Sequence, residues 1–399
     1  MHLTKDEEHI LDGEDGYAAQ KSMQILAALG DIFGADKLIP IKSVQVAGVS
    51  YHNLGNAGLD YLSQLSKDGR VKVPTFLNPA GMDLVDWKKL GISEEFAEKQ
   101  KLVVDAFAAM GINTTCTCTP YLIGIVPKFG DHVAWAESSA VTYCNSVIGA
   151  RTNREGGPSA LAAAFIGKTP NYGLHLNENR VPDLFVRVEA ELNTLADWGA
   201  MGYAIGKRGK NKIALIEGPS KPPNDHLKTF SASIVTYGAK PLYHLKGVTP
   251  EADKFDYPAE KITVGEPEIK EAYEFMNDED NSIDFVSLGC PHASLDEIKQ
   301  VAMLLKGKKV ADGVEMWVAC ARPIKEKAQE LGYVKIIEEA GAKVAADTCM
   351  VVAPVKGRFK SVATTSAKAC YYSQGHNNMK THIGSIQKCV DAAINGEWS

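Results

Sequence analysis

Three segments far apart in the chain carry thiols where chemistry is done: Thr115–Tyr121, with Cys116 and Cys118; Gly289-Cys290-Pro291-His292; and Asp347-Thr348-Cys349-Met350. Each closes a short β-like run and opens a loop, the place where open α/β sheets collect functional groups. Three thiolates on a four-iron cluster leave one iron without a protein ligand. Such an iron binds a substrate hydroxyl and acts as a Lewis acid. That is dehydration chemistry.

Packing is the competing explanation for any one thiol, because free cysteine behaves as a small hydrophobe. Cys144, Cys320, Cys370 and Cys389 fit it, lying among Ala, Val and Tyr. A disulfide framework is not expected in a long chain without a secretory segment, and no paired C-x-x-C zinc pattern occurs. Cys116 and Cys118 are two residues apart and share one face of an extended strand, so spacing leaves both open as ligands.

Other groups with chemical potential surround these segments. Gly48-Val49-Ser50-Tyr51-His52 follows a strand, and its small residues let backbone N–H groups approach an anion. Arg151 and Arg154 sit in a loop of Gly, Asn and Thr, where guanidinium forks suit carboxylate or phosphate. Thr364-Thr365-Ser366-Ala367-Lys368 reads as a capped helix start, with Lys368 able to neutralise an oxyanion. His292, beside Cys290, is a reserve candidate for a general base. Gly206-Lys207-Arg208 does not complete a phosphate-binding G-x-x-x-x-G-K-[ST] motif.

The elements that must hold these groups alternate. Thr4 with Glu7, and Ser294 with Glu297, form capping boxes that start helices. Helices are expected over Tyr17–Phe33, Glu94–Met110, Ser138–Ile148, Asp183–Trp198 and Pro323–Ala340, and strands over Ser43–Val49, Val71–Phe76, Lys212–Ile216, Asp284–Leu288, Glu315–Ala319 and Lys343–Ala346. A strand is also expected to carry the first cysteine pair. Such alternation predicts a multi-layer α/β/α protein with largely parallel sheets. Pro219–Asn224 is the densest cluster of chain breakers and suggests two lobes, 1–220 and 221–399.

With 399 residues, 45% hydrophobic and 23% charged, the chain has the balance of a globular protein. Its net charge of −6 argues against nucleic acid as a partner. No apolar run approaches the roughly 20 residues that cross a bilayer, and Met1–Glu7 lacks the apolar stretch of a signal peptide. The cytoplasm is the expected compartment, with no membrane partner.

Together the segments resemble the aconitase X family, cluster-dependent dehydratases distantly related to aconitase. The matching stretches are Gly48-Val49-Ser50-Tyr51, Asn78-Pro79-Ala80-Gly81-Met82-Asp83, Thr117-Cys118-Thr119-Pro120-Tyr121, Ala134–Ala140, Ala150–Pro158, Gly289–His292 and Thr365–Lys368. The resemblance implies an aconitase-like fold with a [4Fe-4S] cluster between lobes, one iron being open. The family's Thr-Cys-x-Pro-Tyr pattern falls on Cys118, so it implies Cys118, Cys290 and Cys349 as ligands. It also implies Gly48, Val49, Ser50, Asn78, Pro79, Glu137, Ser138 and Lys368 at the substrate; Arg154 is added on its chemistry. Two-subunit archaeal members look closest, which implies a hydro-lyase converting (R)-5-phosphomevalonate, a small anionic substrate, to trans-anhydromevalonate 5-phosphate. Dehydration of cis-3-hydroxy-L-proline is the alternative activity, and an iron–sulfur redox or regulatory protein the non-enzymatic one. The resemblance further implies a separate small swivelling-domain subunit that supplies the base.

Overall fold

A computed structural model describes residues 1–220 and 222–399. Most of the short parallel strands are buried on both faces, as strands covered by helices must be, Lys261–Val264 at a sheet edge being the exposed exception. Among the described residues the strands form three parallel sheets and one antiparallel pair, Leu38–Pro40 with Lys168–Pro170. The first sheet has the order Thr75–Leu77, Val44–Val46, Ala134–Trp135. The second runs Tyr243–Leu245, Ala214–Glu217, Leu184–Val188, Lys261–Val264. The third runs Lys343–Ala346, Glu315–Cys320, Phe285–Leu288, Ser361–Thr364, Lys380–Ile383.

Helices cross between strands and close the layers. Gly157–Ile166 is deeply placed, with every residue from Ser159 on buried, as expected of a helix apolar on all sides. Its start lies so close to the end of the first sheet that a Cβ on Gly157 would stand 2.6 Å from the Ala47 carbonyl oxygen. The two capping boxes form as expected, Glu7 N–H reaching Thr4 Oγ1 at 3.4 Å and Glu297 N–H reaching Ser294 Oγ at 3.2 Å. No helix is long and apolar enough to cross a membrane among the described residues.

Three expectations need correction. Residues 183–198 are not one helix: Leu184–Val188 is a strand at the centre of the second sheet, and the helix begins at Leu195 behind its Thr194 cap. The run Leu-Phe-Val-Arg-Val is buried except at Arg187, a short apolar strand in a sheet covered on both faces, without the alternation that would mark it in sequence. The stretch after Pro323 is two helices, Arg322–Glu330 and Tyr333–Glu339, broken where Gly332 takes φ +80°. The first cysteine pair rides a loop, since the ladder stops at an isolated bridge between Phe76 and Asn113. The expected lobe boundary meets Lys221, which lies outside the described residues; the second sheet draws strands from both sides of that position.

Candidate active site

The C-terminal ends of strands in the first and third sheets supply most of the site. Val44–Val46 leads to Ala47 and Gly48, Thr75–Leu77 to Asn78 and Pro79, and Ala134–Trp135 to Glu137 and Ser138. Phe285–Leu288 leads to Cys290, Lys343–Ala346 to Cys349, and Ser361–Thr364 to Lys368. These residues, with Cys118 and Arg154, line one cavity of about 430 Å³. Segments separated by more than 200 residues thus meet as strand-end placement predicts.

Each of the three cavity thiols follows a residue in left-handed backbone. Cys116 at φ +43° precedes Cys118 by two, Asp347 at φ +63° precedes Cys349 by two, and Gly289 at φ +88° directly precedes Cys290. Only glycine fits at 289, where a Cβ would lie 2.0 Å from the Ala319 carbonyl oxygen. Cys116 packs instead into the hydrophobic core of the first sheet and does not line the cavity.

Cys118 and Cys349 are buried and Cys290 is partly exposed. Burial pushes the Cys118 thiol well above its ordinary range, with the charges of Glu137 and Cys349 adding to the effect. Burial first, then Cys290, pushes Cys349 up to about 12. Cys290 is raised by burial, against the pull of Lys368. The three sulfurs therefore stay protonated alone, and ionise together only against a cation. Among the described residues no three Cys, His, Asp or Glu groups converge on a single-ion site. Three thiols around one cavity, one per arm, fit an iron–sulfur cluster, in which each thiolate holds a different iron.

His292 stitches the thiol-bearing arms together. Its backbone N–H donates to Cys118 Sγ at 3.2 Å, and its ring lies between Thr117 Oγ1 (3.0 Å from Nδ1) and the Thr348 carbonyl (3.0 Å from Nε2). A carbonyl only accepts, so Nε2 carries the proton and Nδ1 accepts from Thr117. Burial lowers its pKa to about 4. With both nitrogens engaged and no face on the cavity, this histidine is a bracket between arms and not a base aimed at substrate.

Glu137 and Lys368 meet as a buried ion pair across 231 residues of sequence. Glu137 caps the helix Ser138–Tyr143, accepting from Ala140 N–H at 2.7 Å and Ser139 Oγ at 2.5 Å, while Lys368 also reaches Ser138 Oγ at 3.3 Å. Burial works against the charge on each. Lys368 outweighs it for Glu137, whose pKa falls, and Glu137 with Cys290 outweighs it for Lys368, whose pKa rises. Lys368 is therefore already committed to a carboxylate. Arg154 is exposed, lines the cavity and makes no ion pair among the described residues, so its guanidinium is available to an anion.

Gly48, Asn78, Pro79, Glu137, Ser138, Arg154 and Lys368 line the cavity, whereas Val49 and Ser50 lie behind it, Ser50 donating to the Val352 carbonyl at 2.8 Å. Asn78 Oδ1 is buried without a partner, an acceptor left over at the cavity wall. Sequence reasoning missed Tyr372 and His376, which also line the cavity. Their signal was the i, i+4, i+8 spacing from Lys368, carried through Ala367–Tyr372 and the π-helical turn Ser373–Asn377.

Profiles of the first, second and third domains of aconitase X match residues 1–178, 182–274 and 283–395. The phosphomevalonate dehydratase large subunit of Methanosarcina mazei is 50% identical over 400 residues, 100% of this chain and 98% of that protein. The cis-3-hydroxy-L-proline dehydratase of Hypocrea jecorina is 34% identical, across 99% of this chain and 69% of that longer protein. Among solved structures, the holo-form of aconitase X from Thermococcus kodakaraensis superposes with a TM-score of 0.91 at 45% identity, covering 98% of this chain and 100% of that one.

Proposed function

The chain belongs to the aconitase X family, and from that premise we propose that it is the large subunit of a cytoplasmic, iron–sulfur-dependent hydro-lyase. Its reaction is the dehydration of (R)-5-phosphomevalonate to trans-anhydromevalonate 5-phosphate. The observation that carries this reading is the convergence of Cys118, Cys290 and Cys349 on one cavity beside the Glu137–Lys368 pair and a free arginine. The choice of substrate is supported by the 50% identity to the archaeal phosphomevalonate enzyme, against 34% to the hydroxyproline enzyme.

Cys118, Cys290 and Cys349 hold the cluster, proposed as [4Fe-4S]. Bound there, the cluster would supply Lewis-acid chemistry to a tertiary hydroxyl as it departs. This chain's residues supply orientation. Arg154 offers a planar fork to the phosphate. Lys368, Ser138 and Glu137 form a fixed polar wall at the thiols, and Asn78 presents its unpartnered oxygen. Gly48 and Pro79 bring backbone to the cavity lining, and Val49 and Ser50 pack behind it. Holding the reacting carbons still converts binding into rate.

The proton must leave to a base; His376 is the one imidazole among the described residues lining the cavity, and the two candidates closer to the thiols are both committed elsewhere. Glu137 is held as a weakly basic carboxylate by Lys368, and His292 has no free nitrogen. A small swivelling subunit that closes over the cavity supplies the base and excludes water. The name "large subunit" carried by the archaeal relative supports such a companion. The test is turnover by anaerobically reconstituted large and small chains, given either (R)-5-phosphomevalonate or cis-3-hydroxy-L-proline. Turnover of only the second substrate, or full activity from the large chain alone, overturns the corresponding part of the proposal.

A further inference from the structure

Outside the cavity lining, a network of buried and half-buried charges joins the loop after the first sheet to the turn that presents Cys349. Arg322 sits at its centre. Its Nη2 lies 2.6 Å from Asp83 Oδ1 and also pairs with the Asp347 carboxylate, joining segments 239 residues apart. Asp83, with no exposed surface, accepts from Val85 and Asp86 N–H at 2.9 Å each, from Ala346 N–H at 2.8 Å and from Lys325 at 3.1 Å. Asp347 is tethered at both ends: its carbonyl accepts from Ala80 N–H at 2.8 Å and its carboxylate from Leu84 N–H at 3.3 Å.

Asp347 holds φ +63°, a conformation that a non-glycine residue keeps only when its surroundings enforce it. Two residues later comes Cys349. Three residues before Leu84, whose N–H donates to Asp347, the same loop carries Gly81, and just before that Asn78 and Pro79, which line the cavity. Without the guanidinium, Asp83 and Asp347 would face each other as adjacent buried carboxylates and repel.

We infer that Arg322 is a positioning residue, which clamps the Cys349 turn onto the Asn78–Asp83 loop and so sets a cluster ligand and the substrate wall relative to one another. The inference rests on Cys349 being a ligand. Its consequence for the bare chain, a Cys349 turn that loosens without the clamp, does not. Both contacts run from one guanidinium nitrogen, and an ammonium can also bond two carboxylates, as Lys325 does with Asp83 and Asp86. Arg322→Lys therefore keeps the charge without the planar guanidinium and should fall between wild type and Arg322→Gln. Asp347→Asn is the gentler second variant, because asparagine tolerates left-handed backbone and its amide oxygen can still accept from Leu84 N–H.

Two readouts decide the matter. In the cluster-free chain, alkylation of Cys349 followed by peptide mass spectrometry should be about tenfold faster in Arg322→Gln and raised in Asp347→Asn, in keeping with the 10–100-fold effects of groups that orient metal ligands. In the reconstituted two-chain enzyme, iron loss to a chelator should quicken and KM for phosphomevalonate rise together, with Arg322→Lys intermediate in both. A purely structural role would lower thermal stability and leave the folded protein's Cys349 reactivity at the wild-type rate. Wild-type reactivity in folded Arg322→Gln, or in folded Asp347→Asn should the first variant fail to fold, overturns the inference. If wild type binds no iron or turns over no phosphomevalonate, the proposed function falls, while the alkylation rates still decide the clamp.

Discussion

Breaking the Glu137–Lys368 pair from one side should cost far more than removing it whole. Both side chains are over nine-tenths buried, 7% and 9% exposed. Removing one partner of such a pair strands a charge and costs about 3–5 kcal/mol, while replacing both with groups of similar size is often near neutral. The variants are Glu137→Gln, Lys368→Met and their combination, compared by unfolding of the cluster-free chain at neutral pH. Each single change should lose about 3 kcal/mol or more and the double change much less than their sum, giving a coupling of about 3 kcal/mol. The pH dependence follows from the direction of each shift. Glu137 is lowered from 4.5, so its contribution is complete above that value and is lost as pH falls through the lower folded value. Lys368 is raised from 10.5, so its contribution is complete below that value and is lost only above it. The double variant should therefore lack this part of the acid-side loss of stability below pH 4.5. Single-variant costs under about 1 kcal/mol, as for exposed pairs, or an additive double variant, would refute the reasoning.

Cys118→Ser should abolish iron retention on anaerobic reconstitution, whereas Cys116→Ser, in the core and off the cavity, should keep the iron content of wild type. His292→Gln should hasten iron loss yet preserve the pH profile of kcat; disappearance of a limb of that profile would restore this histidine as the base. Arg154→Gln should raise KM for phosphomevalonate by tenfold or more, since a hydrogen bond to a charged group contributes about 1.5–3 kcal/mol. Its effect on kcat should be small, and an unchanged KM would remove Arg154 from the site.

Much of this protein was legible before folding because much of it is local. Apolar runs of strand length and capping boxes at Thr4 and Ser294 depend on neighbours within a few residues, and they reported the parallel α/β plan correctly. Strand-end placement then put Cys290, Cys349 and Asn78 at one kind of edge, and the family resemblance separated Cys118 from Cys116. What the chain alone did not disclose depends on partners hundreds of residues away. Leu184–Val188 was read as helix because its strand pairing with residues 214–217 and 261–264 is invisible locally. Whether Lys368 is free or held was decided by Glu137, 231 positions earlier. Whether His292 is a base was decided by Thr117 and Thr348, which occupy its ring nitrogens. Arg322 had no motif at all; two carboxylates brought together by packing give it its place. Local hydrogen bonding and periodicity write secondary structure into sequence, but the field and the partners that set a side chain's charge and aim exist only once the sheets have closed on each other.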